Sequence, residues 1–136
     1  FVYLDSKYDS YVGSQFGDVS GQEVPGTPKL STTLGATYTA DLSDGKALIL
    51  NADYHNESKV VINENPAWRM YKREVNDLSA AITLRLDSGL QFSLWGRNLT
   101  DAKYLSVIFP SVVQSGSISG YPNTPRTYGA SVKYKF

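Results

Sequence analysis

The sequence predicts an all-β fold, about six strands of an antiparallel transmembrane β-barrel. Three observations predict it. Apolar and polar residues alternate at period two through most of the chain, the pattern of a strand with one apolar face. Short turns alternate with long irregular connections, the asymmetry of an outer-membrane barrel. The alternating segments run about 10 to 15 residues, at or above the roughly 9–11 that a tilted membrane strand needs and beyond the roughly 5–6 of a globular strand.

The strands are expected at about 1–12, 28–42, 46–60, 74–86, 90–107 and 124–136. The first, "FVYLDSKYDSYV", is the least regular, with Val2, Leu4 and Tyr8 able to share a face. In the second, Leu30, Leu34, Tyr38 and Leu42 alternate with Ser31, Thr33, Thr37 and Thr39. Asp44-Gly45 supplies tight hairpin chemistry before the third, where Leu48, Leu50, Ala52 and Tyr54 oppose Asn51, Asp53, His55 and Glu57. In the fourth, Leu78, Ala80, Ile82, Leu84 and Leu86 oppose Ser79, Thr83 and Arg85. "DSG" at 87–89 turns into the fifth, where Leu90, Phe92 and Leu94 oppose Gln91 and Ser93. The last segment sets Tyr128, Ala130, Val132, Tyr134 and Phe136 against Thr127, Gly129, Ser131, Lys133 and Lys135. All six prolines fall in long connections or at strand starts, where a missing N–H does least damage.

The alternation alone fits a small soluble barrel equally well. Closure separates the two: six strands this long cannot close around a packed core without extreme shear, and an open sheet leaves two long edges unpaired. In a wide membrane barrel the apolar face meets lipid and further strands pair the edges. Composition agrees without naming a ligand. Thirteen Lys plus Arg balance thirteen Asp plus Glu, so no net field points to nucleic acid. The absence of Cys removes disulfides and thiolate chemistry. The longest aliphatic run, "ALIL", is far below the roughly 18 residues of a spanning helix. The chain opens at Phe1 in strand-like sequence, with no initiating Met and no basic-then-apolar leader, and is expected to be a piece of a longer product.

Two stretches carry a family resemblance. "WGRNLTDAKYL" contains Asn98, Leu99, Asp101 and Tyr104 in an Asn-Leu-x-Asp-x-x-Tyr pattern, and "PNTPRTYGASVKYKF" ends on Pro125, Arg126, Tyr134 and Phe136 in the order Pro-Arg to Tyr-x-Phe. Together they resemble the closing segment of TonB-dependent receptors, the plugged outer-membrane transporters of Gram-negative bacteria. "VPGTPKLSTTLGATYT" upstream is similar to a strand of that family following a Pro-containing outer loop, so the likeness runs over roughly 19–136. It implies a barrel of about 22 strands of which this chain holds about the last six, a plug domain outside this chain, and a C-terminus at the periplasmic side. The implied partners are outer-membrane lipid and lipopolysaccharide, the remaining barrel strands and plug, TonB through the N-terminal part, and the barrel-assembly machinery. Tyr128, Val132, Tyr134 and Phe136 would be the assembly signal; the bland reading leaves them as lipid-facing girdle.

That polarity puts the turns at 43–46 and 87–89 on the periplasmic rim and the connections 13–27, 61–72 and 108–123 outside. "NENPAWRMYKR" is the most chemically loaded. Trp68, Arg69, Tyr71, Lys72 and Arg73 are candidates for binding an anionic chelate by charge and stacking. Alternatively the aromatics form the outer girdle and the cations neutralise lipopolysaccharide phosphates. "FPSVVQSGSISGYPNTP" is expected to be a mobile loop or lid. His55, flanked by Asp53 and Glu57, makes a metal cluster conceivable, but those neighbours stand roughly 7 Å apart along a strand and a solvated polar lumen is the favoured reading. No nucleophile triad, phosphate loop or paired buried carboxylates are legible, so neither enzyme, cofactor nor metal is expected. The expected function is uptake of a scarce nutrient, of ferric siderophore, cobalamin or oligosaccharide class. The alternative is a non-transporting surface barrel, an adhesin or scaffold, or a fragment associated with another assembly.

Overall fold

The computed structural model describes residues 1–135. It is all-β and antiparallel, with strands β1 (Val2–Tyr3), β2 (Leu30–Asp41), β3 (Ala47–Val61), β4 (Lys72–Arg85), β5 (Leu90–Arg97), β6 (Leu105–Pro110), β7 (Ile118–Pro122) and β8 (Thr127–Tyr134). A six-stranded sheet runs β1-β2-β3-β4-β5-β8, and β6 and β7 form a separate hairpin. Among the described residues the one helical element is a 3-10 turn at Pro66–Trp68, and no helix is long and apolar enough to cross a membrane, which says nothing of strands. Phe136, the last residue of the expected assembly signal, lies outside the described residues.

The hairpins follow from local chemistry. Asp44 and Gly45 both take positive φ, 60° and 67°, the pair of conformations a two-residue I′-type turn requires. Lys46 N–H donates to the Ser43 carbonyl at 3.4 Å across the turn, and Leu42 N–H to the Lys46 carbonyl at 2.8 Å beside it. The β4–β5 connection is a three-residue loop with Gly89 at φ 82°, closed by Leu86 N–H to the Leu90 carbonyl at 2.8 Å. The two turns lie together, since a Cβ at Gly45 would meet the Asp87 carboxylate. The end of the chain lies there too: Lys135 N–H donates to the Gly89 carbonyl at 3.1 Å.

The chain divides into two compact units. The first, residues 1–32, 56–75 and 103–123, holds nearly all the buried apolar side chains: Val19, Val60, Val61, Ile62, Val75 and Ile108. Here the expected first strand is only Val2–Tyr3, because polar residues at Asp5, Ser6 and Lys7 break the alternation. The chain instead doubles back. Leu4 N–H reaches the Lys29 carbonyl at 2.9 Å, Tyr8 N–H the Gln22 carbonyl at 3.0 Å and Val19 N–H the Tyr11 carbonyl at 3.0 Å, so 4–11 is laced to the segment read as an outer loop. Within the expected lid, β6 and β7 pair as a hairpin around the turn at 111–117. Ile108 is fully buried, Ser111 and Ser119 share a hydroxyl hydrogen bond of 2.7 Å, and Gly120 admits the Leu105 and Ile108 side chains.

The second unit, residues 33–55, 76–102 and 124–136, has no comparable core. Among its described residues Ala47 is the one buried hydrophobic side chain. Register aligns its apolar side chains in rows: Leu84 faces Phe92, which faces Val132, and Ile82 faces Leu94, which faces Ala130. The intervening residues line the other face, where Thr83 faces Ser93 and Ser93 faces Ser131. Polar bonds knit that face: Thr83 to Ser93 at 2.7 Å, Thr37 Oγ1 to Asn51 Oδ1 at 2.8 Å, and Thr33 Oγ1 to His55 Nδ1 at 3.0 Å. The apolar rows stay open, with Leu34, Leu94, Tyr128 and Val132 all more than 60% exposed.

Candidate functional site

The first unit contains a cavity of about 620 Å³, within the size range of small-molecule sites. Its wall is built where β3 ends. Asn63 Nδ2 donates to the Ile108 carbonyl at 3.0 Å, and Asn63 Oδ1 accepts from Asn65 N–H at 2.8 Å. Asn65 then caps the 3-10 turn, accepting from Ala67 N–H at 3.0 Å, and Pro66 at its first position needs no donor. This fixes Trp68 as one wall, with Phe16 and Ile62 as further apolar lining and Gln15 and Glu64 as polar lining. Glu64 Oε1 accepts from the Tyr8 hydroxyl at 3.1 Å; burial first, and then this carboxylate, hold the Tyr8 phenol above its ordinary pKa.

The loop candidates are divided by the fold. Trp68 lines the cavity. Arg69 Nη2 donates to the Glu23 carbonyl at 3.1 Å, while its Nε is buried with no hydrogen-bond partner. Arg73 pairs with Glu57 at 2.8 Å, both side chains 18% exposed. Tyr71 and Lys72 are exposed and outside the cavity lining. Of the five, Trp68 alone lines this cavity, where Gln15, Phe16, Glu64 and Asn65 join it. Of these, Asn65-Pro66 carries a helix-start signal in the sequence. Gln15 and Phe16 carry none, because the doubled-back arm that brings them in is a tertiary feature.

The terminal motif is a turn organised by one amide. Asn98 is 2% exposed and sits at φ 49°, a left-handed conformation that Asn tolerates. Its Nδ2 donates to the carbonyls of Ala102 and Thr124, both at 3.0 Å, and its Oδ1 accepts from Ala102 N–H at 2.8 Å and from the Thr100 hydroxyl at 3.3 Å. The buried amide is thus fully satisfied. Leu99 N–H donates to the Leu78 carbonyl at 2.7 Å while its side chain packs on Gly96. Asp101, also left-handed at φ 56°, stands 3.8 Å from the Arg126 guanidinium beside Pro125. Tyr104 and Asn123 exchange bonds at the base of the β6–β7 hairpin, Tyr104 N–H to Asn123 Oδ1 at 2.9 Å and Asn123 N–H to the Tyr104 carbonyl at 3.0 Å. The expected strand 90–107 ends at Arg97 for this reason: two left-handed residues turn the chain out of the sheet.

Tyr128, Val132 and Tyr134 lie on the apolar face of β8, opposite Gly96, Phe92 and Leu90. On the other face the Arg97 guanidinium stacks 5.3 Å from the Trp95 ring centroid. Among the described residues no group of three or more His, Asp or Glu side chains is gathered to hold a metal ion. No family model matches the chain, nor does any curated protein or solved structure.

Proposed function

We propose that this chain is the closing part of an outer-membrane β-barrel of the TonB-dependent receptor type, acting in uptake of a scarce nutrient. The observation that carries the reading is the second unit's open apolar face. Leaving a Leu, Val or Phe exposed forgoes about 1.5–3 kcal/mol each relative to burial, and here such residues stand in register across β4, β5 and β8 with almost none buried beneath them. Lipid is the solvent that removes this penalty while leaving the Thr- and Ser-rich face to a wet or plugged lumen.

Two further features support it. Among the described residues β8 pairs with β5 alone and β2 pairs with β1 over two residues, so both sides of the sheet offer backbone to further strands. The short turns at 43–46 and 87–89 and the end of β8 share one rim, the arrangement of a periplasmic edge. In this reading Tyr128, Val132, Tyr134 and Phe136 are presented to the assembly machinery as the last strand.

The test is made on the full reading frame containing this chain. The expected protein is outer-membrane fractionated, heat-modifiable in gels, and supports TonB-dependent growth on a limiting nutrient. A detergent-free, cooperatively unfolding monomer in the soluble fraction would overturn the proposal.

A further inference from the structure

We propose that the Thr- and Ser-rich face of the second unit carries a binding site for a small zwitterion, an α-amino acid, gripped between Asp53 and Arg97. The inference names a ligand for the uptake reading and rests on it, because that reading makes this face the lumen. Asp53 and Arg97 line one cavity of about 240 Å³, together with Asn51, Ser79, Ala81 and Trp95. The strand order explains the hollow. Asp53 lies on β3 and Arg97 on β5 with β4 between them, so their backbones stand about 9–10 Å apart across the sheet. On β4, Ala81 faces Trp95, and Ser79 two residues away shares its face; both are small and leave the gap open.

The two charges are held apart and unspent. The Arg97 guanidinium lies 5.3 Å from the Trp95 ring centroid, and that ring packs over Gly129, which steadies the cation without neutralising it. The Asp53 carboxylate rests over Gly35, where a Cβ would come within 3.0 Å of Oδ1. Among the described residues neither Asp53 nor Arg97 has an ion pair or a side-chain hydrogen bond. A carboxylate and a guanidinium on one small cavity select by charge. An anion is repelled by Asp53, a cation by Arg97, and a neutral ligand leaves both charges to water. A zwitterion satisfies both: its ammonium donates to Asp53, and its carboxylate accepts the paired N–H groups of Arg97. The Ser79 hydroxyl and the Asn51 NH₂ remain for the same ligand, since the Asn51 oxygen is already taken by the Thr37 hydroxyl. The volume lies below the roughly 300–1,000 Å³ of drug-sized sites, which sets the ligand at amino-acid size.

The experiment titrates the purified full-length protein in detergent with L-alanine, L-leucine and L-phenylalanine, with heat released as the readout. Beside each are run its amide, which lacks the anion, and its N-acetyl acid, which lacks the cation. Saturable binding of at least one free amino acid is expected, about tenfold or more tighter than either of its derivatives. Asp53→Asn should weaken that binding about tenfold and remove the preference over the N-acetyl acid. Arg97→Gln should weaken it about as much and remove the preference over the amide. Both side chains are exposed, and retained heat-modifiability checks that each variant is assembled. No saturable binding of a free amino acid, derivatives that bind as tightly, or preferences that survive the substitutions would each overturn the proposal. An outer-membrane protein that fails these titrations sinks this inference and leaves the uptake reading standing; a protein found outside the membrane takes down both.

Discussion

The indole of Trp95 lies over Gly129, its direct cross-strand partner between β5 and β8, and fills the space a Cβ at that position would need. The glycine is there because the ring is. Gly129→Ala is expected to destabilise the folded protein by about 1–3 kcal/mol, the usual cost of overpacking a fitted contact. Trp95→Ala removes the obstruction, so the double variant should cost clearly less than the two single losses together. Urea titration of the full-length protein in lipid vesicles measures all four corners of the cycle, and additive losses would refute the contact.

Asn98 combines a left-handed backbone with four side-chain hydrogen bonds in a buried site. Asn98→Ala loses both, at about 1–2 kcal/mol for the backbone and about 1–3 kcal/mol for each polar group left buried and unpaired. Asn98→Gly keeps the backbone and loses only the bonds, so it should be the milder change. The same urea series ranks them; equal losses would show that the conformation contributes nothing.

The strands were legible because period-two alternation leaves its mark in the sequence, and β2 to β5 and β8 carry it plainly. What failed to show depends on partners far along the chain. The Ser- and Gly-rich composition of 109–125 reads as a lid, yet Ile108 is buried and the stretch pairs as a hairpin. Nothing local to Arg69 and Arg73 reveals that the first reaches the Glu23 carbonyl and the second pairs with the Glu57 carboxylate. Asn98, Leu99 and Asp101 were legible as a pattern, but its physical content, two positive φ angles and a four-bonded amide, is not.

Acid should loosen the doubled-back arm of the first unit. Lys29 lies 3.0 Å from Glu23, and its hydrogen bond holds the Glu23 carboxyl below its ordinary 4.5. A depressed folded pKa contributes stability above the unfolded value that is lost as pH falls through the folded one. Both side chains are partly exposed, at 49% and 39%, so the effect is small, below about 1 kcal/mol. Lys29 hands its own backbone carbonyl to Leu4 N–H, which makes that amide the reporter. Hydrogen exchange at Leu4 should be faster in Glu23→Gln than in wild type at pH 7, and the difference should vanish near pH 3. A difference that persists at pH 3 would assign it to something other than this charge pair.

Leu94 and Ser93 are neighbours at one depth of β5 on opposite faces, which makes them a matched probe of what each face meets. Leu94 is 62% exposed between Ile82 and Ala130, while Ser93 lies between Thr83 and Ser131. If lipid covers the apolar face, Leu94→Arg places a charge in hydrocarbon, at about 2–4 kcal/mol near the midplane. Ser93→Arg points into the lumen and loses the 2.7 Å bond to Thr83, worth about 0.5–1.5 kcal/mol. The Leu94 variant should therefore lower the urea midpoint of the full-length protein in vesicles well beyond the Ser93 variant. In thinner bilayers, where residue 94 sits nearer the headgroups, the Leu94 penalty should shrink while the Ser93 loss stays constant. Reversed order, with Ser93→Arg the costlier change, would mean that the Thr and Ser face is the one packed away from water.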